Sequence, residues 1–293
     1  MSVTAPTIIL AHADAGRADA WTEVAALLAL AGLGAAYGRG VHELWARRGR
    51  GAVVSRWRAT AFAAGLVVVL LAQRGPMHEL AERSFAGHMV QHMILMLGAG
   101  PLLACGGAGL PLTLAASRRV RTTVARLRSG PPGRWLRRPL TLALVAAGVH
   151  TAVLWWWHLP RPYGWVEHNA VVHGIEHVSF LAAAWLLWST VLTPQANRLG
   201  GPASFLLLFA TGMPAAALGA VLTLATGPIY PAGTLAGPDP LADQQLAGLV
   251  MWVPMDVVML VAAVAVFLRW MVALDRSNPG ERDLQPRREE IPA

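Results

Sequence analysis

The chain has 293 residues, of which 55% are hydrophobic and 14% charged, and its mean hydropathy is +0.47; this composition points away from a soluble domain and towards a polytopic membrane protein. The net charge of +8 rests on arginine alone. These arginines lie in separate links between apolar runs and not on one folded face, so no nucleic acid is expected as a partner; the single cysteine, Cys105, leaves no intrachain disulfide and no cysteine-based metal motif.

Residues 1–20 lack a basic start and a long apolar stretch, and read as a short polar tail on the outer side, not a cleaved signal peptide. Seven apolar segments follow, at about 21–37, 57–73, 85–105, 140–158, 171–192, 203–225 and 246–270. A span needs about 20 apolar residues, and backbone groups in lipid must be satisfied within the segment, so each is expected to be a helix. The fold class is therefore all-α, a bundle of seven transmembrane helices over residues 21–276. The link from 118 to 139, rich in Arg, Pro and Gly, reads as a loop, and the charged tail at 277–293 as disordered.

Arginine orients the bundle. Twenty of the 24 lie in the links between spans one and two, three and four, five and six, or after span seven, whereas Arg17, Arg74, Arg83 and Arg161 lie on the other side. The positive-inside rule then places the N-terminus outside and the C-terminus in the cytoplasm, with the basic links as topological anchors that meet anionic lipid.

With depth assigned, the histidines fall on one side. His88 and His92 lie in the outer half of span three, spaced i, i+4 and so one turn apart on one face. Met96 follows, and at about 100° per residue the three share an arc of roughly 80°. His173 and His177 form a second i, i+4 pair in the outer half of span five, and His158 ends span four. Nine of the ten histidines lie at mid-depth or further out, His12, His78, His150 and His168 among them; His42 is the exception. Polar groups facing lipid are costly, so the two pairs are expected to face the bundle interior and to converge as ligands of one metal site. A lone intramembrane histidine is more often an interhelical hydrogen-bond partner; two pairs at matched depth shift the balance to a ligand set. Met89, Met93 and Met96, with Met251 and Met255 on span seven, offer thioethers, which favour Cu(I), although methionine also simply fills gaps. Glu176, Glu167 and Asp243 could orient imidazoles from behind. Cys105, about 20 Å along the helix from the first pair, reads as a small apolar core residue.

HMVQHMILM with the following PLL and LPLTL, WHLPRPYGWVEHNAVVHGIEHVSFL at 157–181 and DQQLAGLVMWVP at 243–254 resemble the CtaG-type cytochrome c oxidase assembly factors of bacteria, in the order that family has them. The resemblance implies a seven-span protein of the bacterial cell (inner) membrane, needed to build a haem–copper oxidase, with a part in copper handling. It implies that His88, His92, His173 and His177 matter, with His158 beside them. The expected metal set is therefore His88, His92, His173, His177, His158, Met96, Met251 and Met255, with Glu176 and Asp243 supporting it, and the expected cargo is copper as Cu(I). Oxidase subunits or other copper chaperones are the expected partners, and a homo-oligomer stays open; no enzymatic activity is expected.

Three other classes compete. A membrane haem oxidoreductase would need histidines opposed across a haem and usually a second haem towards the other leaflet, where intramembrane histidine is lacking. A copper or proton transporter would need polar groups through the inner half, where spans three, five and seven are nearly bare. A zinc hydrolase lacks a positioned base beyond Glu176.

Overall fold

A computed structural model of the chain describes residues 5–192, 199–230 and 239–277, with side chains from residue 21 onward. All the regular structure described is helical: α1 (Ala5–Arg48), α2 (Arg56–Ala72), α3 (Pro76–Arg83) and α4 (Phe85–Met93), which runs through a π-helical turn at Ile94–Ala99 into α5 (Gly100–Cys105). Then come α6 (Gly109–Ala115), α7 (Arg118–Ser129), α8 (Pro131–Leu136), α9 (Pro139–Trp157), α10 (Pro160–Glu167), α11 (Ala170–Leu192), α12 (Gly201–Leu224) and α13 (Pro240–Ser277). Among the described residues, six helices are long and apolar enough to cross a membrane, and a seventh span results if α2 and α3, bent by 46° at their junction, count as one.

Local chemistry sets many of the boundaries. Proline stands in the first turn of α3, α8, α9, α10 and α12, where its missing N–H costs nothing. Ser55 and Ser84 cap α2 and α4, their hydroxyls accepting from the N–H of Arg58 and Gly87. Between α2 and α3 the chain turns at Gly75, whose φ of 61° suits glycine.

Three boundaries differ from the sequence reading. The first helix starts at Ala5 and runs to Arg48, so residues 5–20, read as a short polar tail, continue the first span as helical backbone. The basic link at 118–139 folds into α7 and α8 instead of a loop: Ser117 caps α7, and Arg, Ala and Leu sustain it. The last span begins earlier, at Pro240. The expected tail beyond Ser277 and residues 1–4 lie outside the described residues.

The continuous helix Phe85–Cys105 is the centre of the bundle; α2 and α11 pack against its π-helical and α5 portions, and α13 against α4. α12 and α13 form the closest pair. Their crossing depends on small residues: a Cβ on Gly248 would lie 2.4 Å from Thr223 Oγ1 and 2.6 Å from the Gly219 carbonyl oxygen.

The π turn has a local cause. Gly100 N–H bonds Leu95 O, five residues back, and the next residue, Pro101, has no N–H to carry the ladder to Met96 O. The indole Nε1 of Trp188, on α11, donates to that carbonyl at 3.0 Å instead.

Candidate metal centre

The first pair is held by the start of α4. Ser84 Oγ accepts from Gly87 N–H at 2.9 Å, and the Asp243 carboxylate, from the first turn of α13, accepts from Phe85 N–H at 2.7 Å and Ala86 N–H at 3.0 Å. Three of the orphan donors at this helix end are thus satisfied, and a carboxylate sits at the positive end of the dipole. Asp243 therefore acts as a cap on α4; the expectation that it orients an imidazole is corrected, because both its oxygens face backbone. One turn on, His88 and His92 stack edge to face with ring centroids 4.3 Å apart.

The second pair comes from α11. Asn169 Oδ1 caps this helix by accepting from the N–H of Val171 and Val172. His173 and His177 then lie across from the first pair: the ring centroids are 5.2 Å apart for His88–His173, 5.9 Å for His88–His177 and 5.2 Å for His92–His177. Both pairs therefore enter one cleft.

Glu176, the neighbour of His177 in sequence, points into the middle. Its Oε2 lies 3.5 Å from His88 Nε2 and 3.6 Å from His92 Nε2. Those lengths are long for hydrogen bonds. They match the roughly 3.3 Å that separates two donors each about 2.0–2.1 Å from one tetrahedral ion. One ligand atom from each of His88, His92, Glu176 and His177 lies within 4.8 Å of the others, and all four residues are buried. His88 Nε2, His92 Nε2 and Glu176 Oε2 are buried with no hydrogen-bond partner. Each such atom costs about 1–3 kcal/mol when left unpaired. Three of them converging is what a cation would repay, so the donor set fits a metal ion. Glu176, read from sequence as a supporting group, here lies among the ligand atoms.

A polar chain that the sequence reading passed over stands behind His177. Gln91 Nε2 donates to the Ala72 carbonyl at 2.7 Å, which fixes the orientation of that amide. The same nitrogen faces Gln73 Oε1 at 3.3 Å, so Gln73 turns its Nε2 to His177 Nδ1 at 2.9 Å. His177 Nδ1 thus accepts, and the ring carries its proton on Nε2, which faces His173 Nε2 at 3.2 Å. Metal binding through His177 Nε2 requires the ring to carry its proton on Nδ1 instead, with the Gln73 amide turned to accept it. The available signal was a pair of glutamines in apolar spans, a costly placement without partners.

Beyond this cluster the expected ligands part company. His158, at the end of α9, is buried; its Nδ1 bonds the Leu154 carbonyl at 2.6 Å and its Nε2 meets Met89 Sδ at 3.2 Å. Met96, Met251 and Met255 are buried in the apolar core around the site, with Phe180 and Leu187. The sulfur that meets an imidazole is that of Met89. His173 is partly exposed and forms the outer edge of the cleft, and Glu167 is exposed at the end of α10. His150 is buried at mid-span with neither ring nitrogen hydrogen-bonded, apart from the cluster. His12 carries no described side chain.

An aromatic group closes the end of the cleft. Tyr163 of α10 stacks near Tyr230, with centroids 4.7 Å apart, and both pack edge-on to Phe85 at 5.1 and 5.0 Å. Tyr163 also reaches His88, at 6.1 Å. Tyr230 donates its hydroxyl to the His158 carbonyl at 3.2 Å. Burial raises both phenols above their ordinary range. They stay protonated and add no anion to the site.

A family model described as cytochrome c oxidase caa3 assembly factor (Caa3_CtaG) matches residues 35–273, well over half of the chain. That stretch includes every residue of the cluster. No curated protein and no solved structure matches.

Proposed function

The chain belongs to the cytochrome c oxidase caa3 assembly factor family, and on that premise we propose that it is a copper-binding membrane protein that supports copper-centre maturation in a haem–copper respiratory oxidase. Copper here is cargo. The observation that carries the reading is the meeting of three buried, unpaired ligand atoms, from His88, His92 and Glu176, with His177 beside them. A carboxylate and neutral imidazoles supply charge and nitrogen donors together; imidazole suits copper as it suits zinc, and the family match favours copper. His173, partly exposed beside His177, gives the cluster an edge from which an ion could be taken or released.

The haem alternative is less well supported. Haem would need a slot as wide as a porphyrin between opposed imidazoles, whereas these rings stack on each other and on Phe180, 4.5 Å from His92. A transporter would need the polar run to continue; after His92 the helix presents Met93, Leu95 and Met96 to the core.

In this reading the cluster lies in the outer half of a bacterial cell membrane, with an external N-terminus and a cytoplasmic C-terminus, following the arginine distribution. Oxidase subunits or other copper chaperones are the partners, the protein is a carrier and not an enzyme, and assembly into a homo-oligomer is compatible with the role. Reporter fusions at Arg126 and Gly237 are expected to read cytoplasmic and external; the reverse would refute the orientation.

The central test is His92→Ala. It is expected to lower copper bound to purified protein and to lower active oxidase, while the amount of this protein in the membrane stays nearly unchanged. Cys105→Ala is expected to do neither. Full copper loading of the His92 variant would exclude the mechanism and leave the histidines as hydrogen-bond partners between helices.

A further inference from the structure

The pair His158–Met89 is hard to explain as a structural contact. Leu154 O can only accept, so at 2.6 Å His158 Nδ1 must carry the proton. A neutral ring then has a bare lone pair on Nε2. That lone pair points at Met89 Sδ, 3.2 Å away, which has lone pairs and no hydrogen to give. Protonating Nε2 as well would place a cation against a thioether and Phe180, whose ring centroid is 6.0 Å from that of His158, with no carboxylate in contact; a buried unpaired charge of that kind is costly. Both residues are buried, at 5% and 1% exposure.

Two electron-pair donors facing each other across a short gap are stabilised by a shared soft cation. We propose that His158 Nε2 and Met89 Sδ form a second, soft nitrogen–sulfur seat for a monovalent d10 ion, Cu(I), beside the harder His/Glu cluster. The rest of the surroundings is consistent with that chemistry. The backbone carbonyl behind His158 Nδ1 is the usual support of a ligating imidazole, fixing its tautomer and orientation. Tyr230 holds the His158 carbonyl from the other side. A thioether selects Cu(I) over Zn(II) or Cu(II), and the seat carries no anion that would favour a divalent ion. His92 joins the two places: its ring lies 5.2 Å from that of His177 and 6.2 Å from that of His158, and its Nδ1 is buried without a hydrogen bond. An ion released from the cluster thus has a soft acceptor one ring away. The seat extends the copper reading but is tested independently of it, since it concerns binding and not delivery.

The experiment uses the full chain in lipid nanodiscs, loaded with Cu(I) under reductant and, separately, with Ag(I) as a redox-inert soft probe and Zn(II) as a borderline one. Met89→Leu conserves volume, so the core is retained. X-ray absorption of the wild-type protein is expected to show sulfur among the Cu(I) ligands. Met89→Leu is expected to lose that sulfur and to weaken Cu(I) and Ag(I) binding by about tenfold or more, the scale on which the surroundings of a metal tune its affinity, with Zn(II) binding unchanged. Glu176→Gln is expected to show the opposite pattern, weaker Zn(II) and retained copper–sulfur scattering. Absence of sulfur in the wild type, or sulfur retained in Met89→Leu, would overturn the seat. If copper–sulfur scattering behaves as stated while His92→Ala leaves oxidase intact, the seat stands and the delivery role falls.

Discussion

Replacing Asp243 separates two roles that sequence alone could not. Its carboxylate accepts two backbone N–H groups, from Phe85 at 2.7 Å and Ala86 at 3.0 Å, and those residues are buried at 2% and 6% exposure. Hydrogen bonds to a charged group are worth about 1.5–3 kcal/mol each, and favourable charge at a helix N-terminus adds about 0.3–1 kcal/mol. Asp243→Ala is therefore expected to cost about 3–5 kcal/mol, allowing for partial relaxation of the helix end. Asp243→Asn keeps one accepting oxygen and loses the charge, so about half that cost is expected. The assay is unfolding of purified protein in mixed detergent–SDS micelles, followed by far-UV circular dichroism, with copper per folded chain measured in parallel below the transition. Stability should fall in the order wild type, Asn, Ala, while copper per folded chain changes little. A variant with wild-type stability but much weaker copper binding would refute the capping argument and return Asp243 to a role behind an imidazole.

Three further outcomes follow from particular contacts. Trp188→Phe removes the donor to Met96 O and is expected to destabilise by about 1–3 kcal/mol; Pro101→Ala, which restores a backbone N–H beside the same carbonyl, should recover part of this in a double-mutant cycle, and strict additivity would show that the π turn does not depend on the indole. Gln73→Leu removes the donor that keeps the His177 proton on Nε2, so the proton can pass to Nδ1 and leave Nε2 open to a metal; copper binding in a chelator competition is expected to hold or tighten, with helicity intact, and a loss of about tenfold or more would show that the Gln73 donor supports a ligating ring. Gly248→Ala forces a Cβ to within 2.4 Å of Thr223 Oγ1 and is expected to cost about 1–3 kcal/mol in the same unfolding assay, as overpacking does; neutrality would mean that the α12–α13 crossing relaxes freely.

Much of this protein was determined by patterns that act within one segment. The apolar runs define helices because a backbone in hydrocarbon has no other way to satisfy its polar groups. The pairs His88–His92 and His173–His177 each share a face because the helix repeat puts i and i+4 one turn apart. Their convergence could be anticipated because lone polar faces in lipid are expensive, and the cleft does bring them together. What lay outside that reach concerns groups far apart in the chain. Which thioether meets an imidazole depends on how α9 rotates against α4: Met89, 69 residues from His158, makes the contact, whereas Met96 packs in the apolar core. Asp243 caps α4 from 158 residues away, and Gln73 reaches His177 across 104. Spacing and hydropathy say which face a residue occupies on its own helix; the rotation and register of one helix against another are set by packing, and only the tertiary structure decided them.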